Sequence, residues 1–456
     1  MIQLLILFLS VATALLVFTK KYKLIPIYML FVFLFTIDYA NYYLKIDSSL
    51  SGYLVKMYTE ILFVFTTLYF IASSLKSNKT NKIAFYTLLF LVLTLAIGIN
   101  KNGALSAILD WKSSILPIAL PLLLIYSKIV DSNTIKKLMG FVCLLTLLNT
   151  TIALFQYSTF NGDPQSSWRY DFLVNARQNN ETENEERFVT YQIVRNDKLR
   201  ASGIFVSALQ YSYLAAFSAF YIFLQILSVK KNKFVLYLGY STLLLTFILG
   251  MLASQVRASF IIFLVAIATY YTCTKRSPTG ITLLTKRALT LILVNYSILL
   301  LTLFIFGADS LDASAAGRAP QYLKAISEFS IIGAGLGKYR GQFDSDLVYG
   351  SLTLGLIFLF IPLLFVTMLR KTSSKQALYS DENAYTVTLA FCIATSVATV
   401  SLFQHLSGTV LYYVTWLLLI ASATRVSSPI HKPTIAKNKT YKMYHEVNTI
   451  VGKARN

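Results

Sequence analysis

The chain has 456 residues, 56% of them hydrophobic and only 13% charged, with a formal net charge of +21 and a mean hydropathy of +0.61. A soluble protein of this size carries about 25% charged residues, and here the apolar residues fall into runs of about 15 to 25 that read as transmembrane helices. This excludes a soluble enzyme, a disordered chain and a secreted disulfide scaffold, and the runs are too long for the alternating strands of a membrane β-barrel.

In chain order, spans are predicted near 2–18, 24–39, 53–75, 83–99, 113–127, 138–158, 203–228, 234–253, 258–272, 288–307, 347–369, 384–404 and 409–424. The predicted fold class is an all-α, polytopic integral membrane protein of about 12–13 transmembrane helices, one domain over residues 1–456. The first run is not a cleaved leader, because its positive charge (Lys20, Lys21, Lys23) follows the apolar residues. In the third span, Lys56 and Glu60 lie four residues apart, a spacing at which they neutralise each other. Pro117 and Pro121 predict a kinked span.

Every second connector is rich in lysine, and together these connectors hold most of the 41 basic residues. The excess charge is therefore a positive-inside signature rather than a nucleic-acid patch. It predicts an outward N-terminus and a cytoplasmic C-terminus, with 425–456 as a basic cytoplasmic tail. Cys143, Cys273 and Cys392 lie in spans or on the cytoplasmic side, so no disulfide is expected to hold the outer loops.

Two outer connectors are long, 159–202 and 308–346, and loops of that length are functional or disordered. The first holds the acidic run ETENEE (181–186) and Arg169, Arg177, Arg187, Arg195 and Arg200. Of the 13 arginines 8 lie on the outer side, but of the 28 lysines only 7 do. Positive-inside sorting treats the two alike, whereas bidentate recognition of phosphate or carboxylate favours arginine. Arg177 and Arg187 pair most simply with the adjacent acids. Arg200 closes the loop in KLRASGIF, Arg257 sits in the tight outer hairpin SQVRASF, and Arg318 sits in AAGRAPQYLKAISEF, where Pro320 suits the start of a short helix. Three arginines facing one side point to an anion site.

GAGLG (333–337) follows, then KYRGQFDSDLVYG (338–350) with Arg340. The glycine run departs from a dinucleotide fingerprint and reads as a tight turn that lets backbone approach a ligand or a neighbouring helix. Asp344-Ser345-Asp346 matches the D-x-D letters of metal-dependent sugar transferases, but the outer face lacks nucleotide sugars, and no metal is expected. A carboxylate here suits a general base, with Asp346 also suited to capping the next helix. Of the three histidines, His431 and His445 lie in the tail, and His405 lies at the outer end of a span.

The order of these motifs — R-x-S-G (200–203), S-x-x-R (254–257), G-R-x-P, the glycine run, then Asp344-Ser345-Asp346 leading a span that contains Gly355 — resembles the O-antigen polymerase and O-antigen ligase superfamily of bacterial inner-membrane glycosyltransferases. The resemblance covers roughly residues 150–370. It implies glycan repeat units carried on undecaprenyl pyrophosphate at the periplasmic face, with the two long loops covering the active site, no cofactor, no nucleic acid, and membrane lipids and a chain-length regulator protein as partners. Ligases of this kind typically carry a His at the head of the span after the second long loop; here that place reads Asp344-Ser345-Asp346, which favours a polymerase.

Without a metal, fixed cations must meet the diphosphate charge. Arg257 and Arg318 are assigned to the pyrophosphate, Arg200 to pyrophosphate or sugar, and Arg340 to substrate binding. Asp344 is the candidate base, His405 the reserve, and Tyr322 a sugar-stacking residue. The alternatives are a ligase that transfers the polymer to lipid A–core, and a flippase for the same lipid-linked sugar. The spans lack the internal repeats and midplane charges usual in transporters.

Overall fold

A computed structural model describes residues 2–44, 56–77, 82–175, 190, 192–195, 197–229, 233–273, 290, 294, 318–376, 384–402 and 404–424. The chain divides into two units, Met1–Ala423 and Thr424–Asn456, and the second lies outside the described residues apart from Thr424.

The fold is all-α. Its helices are α1 (Ile2–Leu15), α2 (Ile25–Tyr43), α3 (Tyr58–Ser77), α4 (Lys82–Asn102), α5 (Ala104–Ser114), α6 (Leu116–Tyr126), α7 (Ser132–Thr159), α8 (Trp168–Asn175), α9 (Ala208–Ser228), α10 (Phe234–Ser254), α11 (Arg257–Cys273), α12 (Arg318–Ser327), α13 (Asp346–Leu354), α14 (Phe360–Gln376), α15 (Ala384–Ser401) and α16 (Val410–Thr424). Strands β1 (Val194–Arg195) and β2 (Lys198–Leu199) form one antiparallel ribbon within the first long loop.

Six helical stretches are long and apolar enough to cross a membrane, and α5 with α6 makes a seventh if that bent pair is one span. The protein is thus a multi-pass membrane protein, although fewer segments qualify by themselves than the 12–13 predicted. Five other predicted spans coincide with shorter apolar helical stretches of 10–17 described residues, at or below the lower end of the ~17–25 that cross a bilayer core. Hydropathy marks where an apolar run lies, while helix length is set by where the chain must turn. The predicted span at 288–307 falls almost wholly outside the described residues.

The kink predicted from Pro117 and Pro121 is displaced. The chain bends by 60° between α5 and α6, and Pro117 sits in the first turn of α6 while Pro121 is carried inside that helix. Proline in a first turn removes no intrahelical hydrogen bond, so the break comes ahead of it. Glu60 also differs from expectation: its carboxylate is paired with Lys112 of α5 at 2.8 Å, and Lys112 also donates to the Lys56 carbonyl.

α9 is the buried centre of the bundle, with 67% of its apolar window inside, against 17% for α10. Small residues such as Ala215, Ala216, Ser218 and Ala219 let neighbours approach α9 closely. Buried hydroxyls within spans, among them Thr66, Thr146, Thr150, Thr395 and Thr415, donate to carbonyls four residues back, which satisfies them without a distant partner.

Candidate functional site

Polar side chains gather where the connectors meet the bundle, in two linked clusters. The first is organised by Arg169 in α8, which is only 1% exposed. Its Nε donates to the Val206 carbonyl at 2.7 Å, Nη1 to the Arg200 carbonyl at 2.7 Å and Nη2 to the Gln192 carbonyl at 2.8 Å. Burial, with the charge of Arg200 nearby, pushes its pKa down to about 9. Arg169 is therefore an internal clamp on residues 192–206, not a free anion-binding fork.

α7 completes the clamp. Asn149 donates to the Ser202 carbonyl at 3.1 Å and accepts the Ile204 amide at 2.7 Å, while Gln156 exchanges two 3.1 Å bonds with Gly203. Gly203 has φ +65, and a Cβ there would stand 2.2 Å from Asn149 Oδ1. Glycine in R-x-S-G is thus required by both backbone and space. The next bond, Ala201 N–H to the Ala253 carbonyl at 3.0 Å, ties this segment to the tip of the α10–α11 hairpin. That tip turns at Gln255 in the left-handed region, φ 54. Arg200 is buried and Arg257, heading α11, is exposed. Beside them a cavity of about 780 Å³ lies between α7 and α10, lined by Leu154, Phe155, Leu249 and Leu252 with Lys198 and Gln255.

The second cluster centres on Asp110 of α5, 1% exposed. Its Oδ2 accepts the Gly337 amide at 2.6 Å, and its Oδ1 accepts the Tyr349 hydroxyl at 2.6 Å and the Ser114 hydroxyl at 3.2 Å. The glycine run is bound on the same side. Lys101 donates to the Gly333 carbonyl, Asn102 to those of Ala334 and Leu336, and Ser106 to that of Gly337. A Cβ at Gly337 would meet Ser106 Oγ at 2.5 Å. GAGLG thus makes a close approach to a neighbouring helix.

At the head of α13 the three residues of D-S-D separate. Ser345, not Asp346, is the N-cap, accepting Val348 N–H. Asp346 instead crosses to the connector before α16, accepting the amides of Leu406 and Ser407 and the Ser407 hydroxyl. Asp346 Oδ1 also meets His405 Nδ1 at 2.9 Å. The His405 ring stands edge-on to Tyr349, centroids 4.9 Å apart. Burial disfavours its imidazolium, but Asp346, with Asp110 and Asp344 adding, outweighs that and raises the pKa. Asp344 is exposed and exchanges bonds with Gln321: its carboxylate accepts the amide at 3.2 Å and its N–H donates at 2.9 Å. Among the described residues no group of three or more His, Cys, Asp or Glu is placed to hold a metal ion.

The predicted residues therefore divide. Arg200 and Arg257 belong to the first cluster. Asp344, His405 and Tyr322, whose hydroxyl donates to the Leu402 carbonyl, belong to the second. Arg340 is exposed in the turn between the glycine run and α13. Arg318 heads α12, and its side chain lies outside the described residues. Tyr213 of α9 joins the halves by donating to Gln404 Oε1 at 3.2 Å. Sequence reasoning passed over Asp110, Asn102, Ser106, Asn149 and Tyr349; the one signal was Asn149, an amide inside an otherwise apolar span, where it demands a partner. No known protein family matches this chain, and no curated protein matches it.

Proposed function

We propose that the chain is a surface-polysaccharide polymerase of the O-antigen type, working at the periplasmic face of the bacterial inner membrane. It transfers a growing glycan from undecaprenyl pyrophosphate to the sugar of another lipid-linked repeat unit. The observation that carries the reading is the Ala201–Ala253 bond. Through it the R-x-S-G and S-x-x-R segments, far apart in sequence, bring two arginine positions to one end of the bundle beside an apolar cavity suited to a lipid chain.

In this mechanism the acceptor hydroxyl attacks the anomeric carbon of the donor. The new glycosidic C–O bond forms as the bond from that carbon to the diphosphate oxygen breaks, and the electron pair leaves with the diphosphate. Arg257 meets that charge, with Arg200 and Arg318 contributing; each charge-assisted bond contributes about 1.5–3 kcal/mol. The hydroxyl proton passes to His405, whose Nδ1 faces Asp346 as a general base's orienting partner would. Asp344, the base expected from sequence, is bonded to Gln321 and becomes a residue that shapes the site.

A ligase reading has one observation in its favour. His405 comes from a later connector, yet stands at the head of the span that follows the second long loop, where ligases typically carry a histidine. Purified protein in detergent, given the lipid-linked unit together with lipid A–core and without nucleotide, separates the readings. Longer lipid-linked products support the polymerase, transfer only to lipid A–core makes it a ligase, and no transfer removes both.

A further inference from the structure

The second long loop is expected from sequence to cover the active site, and its described part carries an unpartnered apolar face. α12 turns Tyr322 and Ala325 onto a small core of Tyr339, Phe343, Val348, Tyr349 and Leu352. On the adjoining flank Leu323 (67%), Ile326 (77%) and, just beyond, Phe329, Ile331 (69%) and Ile332 are exposed. So continuous an apolar patch marks an interaction site rather than a solvated surface.

Where the loop runs decides what covers it. The Ala334 and Gly335 amides donate to the Leu352 and Thr353 carbonyls, and Leu356 N–H donates to the Ile331 carbonyl. Residues 331–335 thus lie beside the 352–356 stretch, roughly 10–15 Å along the span that starts at Asp346 at 1.5 Å per residue. The span gives way for them: its helix breaks at Gly355, φ +58, where a Cβ would lie 2.3 Å from the Ile331 carbonyl oxygen. The loop's backbone groups are answered from the other side by Lys101, Asn102, Ser106 and Asp110. Irregular backbone at membrane depth is tolerated only when satisfied in this way. Ile331 is continuous with Leu356, Leu359 and Leu363, the exposed apolar side chains of the span itself.

We propose that this loop re-enters the membrane, with α12 in the interfacial plane and Phe329–Ile332 dipping among the acyl chains, so that the occupant of the apolar face is the lipid bilayer. Lys324, on the flank of α12 over the Tyr339 and Phe343 rings, stands at headgroup level, as basic residues of interfacial helices do. The second loop is then a lipid-anchored wall of the site.

The test uses the full chain in phosphatidylethanolamine–phosphatidylglycerol vesicles, with and without bromine on the acyl chains. Ile326→Trp and Ile331→Trp add emission above that of the native tryptophans, and Gln342→Trp is the aqueous control. The expected result is a blue shift and loss of the added emission with brominated lipid for Ile326→Trp and Ile331→Trp, and loss to aqueous iodide alone for Gln342→Trp. Iodide quenching of the two isoleucine variants overturns the proposal. Protection from both quenchers, the signature of a second copy seated on the face, overturns it equally.

Discussion

Tyr349 donates its hydroxyl to Asp110 at 2.6 Å across 239 positions of sequence. The other oxygen of that carboxylate takes the Gly337 amide, so a single buried residue joins α5, the glycine run and the head of α13.

Asp110→Ala leaves the Gly337 amide without its acceptor and the Tyr349 hydroxyl with only Ser114 Oγ, 2.9 Å away. Each buried orphan donor costs about 1–3 kcal/mol. The apparent melting temperature in detergent should fall clearly, and Asp110→Asn, which keeps one acceptor oxygen, should fall less. Equal stability of the Ala variant and wild type would contradict the geometry.

His405 carries a pH signature. Its folded pKa is raised above the unfolded value of 6.5, so the Asp346–His405 pair stabilises fully below that value and fades as pH rises through the folded one. The melting-temperature gap between wild type and His405→Gln should therefore be full below pH 6.5 and close as the pH rises above that value. Glycosyl transfer should run the opposite way, since a base must be unprotonated, and His405→Gln should lower it by about 10²–10⁴-fold.

The two kinds of arginine should separate under Lys substitution. Arg169→Lys cannot keep three divergent bonds to carbonyls, each contributing about 1.5–3 kcal/mol, and should reduce the folded, monodisperse fraction on size exclusion. Arg257→Lys, at an exposed helix head, should fold normally yet lose about tenfold or more in transfer rate, because an ammonium lacks the planar fork.

Two glycines with positive φ make an internal comparison. Gly341→Ala, φ +71 with open space around it, should cost only the left-handed penalty of about 1–2 kcal/mol. Gly337→Ala, φ +101 against Ser106 at 2.5 Å, should cost more and loosen the glycine run, read as faster amide exchange there.

Much of the fold was legible because hydropathy is local. Among the described residues, apolar runs form helices and the hairpin at Gln255 forms where the sequence predicts them. The arginines of the first loop were harder to read. Composition treats Arg169 and Arg200 as equivalents, yet one donates to three internal carbonyls and the other lies beside the hairpin that bears Arg257. Asp110 was overlooked because a lone carboxylate near a helix end reads as a surface charge until its partners are known.

The sequence by itself determined that this chain lives in a membrane and where its apolar helices lie, since the transfer free energy of an apolar run sums over neighbouring residues. Only the tertiary structure decided that the bend falls before Pro117, that Ser345 rather than Asp346 caps α13, and that His405 meets Asp346. Those choices depend on which distant segment offers a hydrogen bond in a medium where water does not. Spacing along the chain carries no information about that.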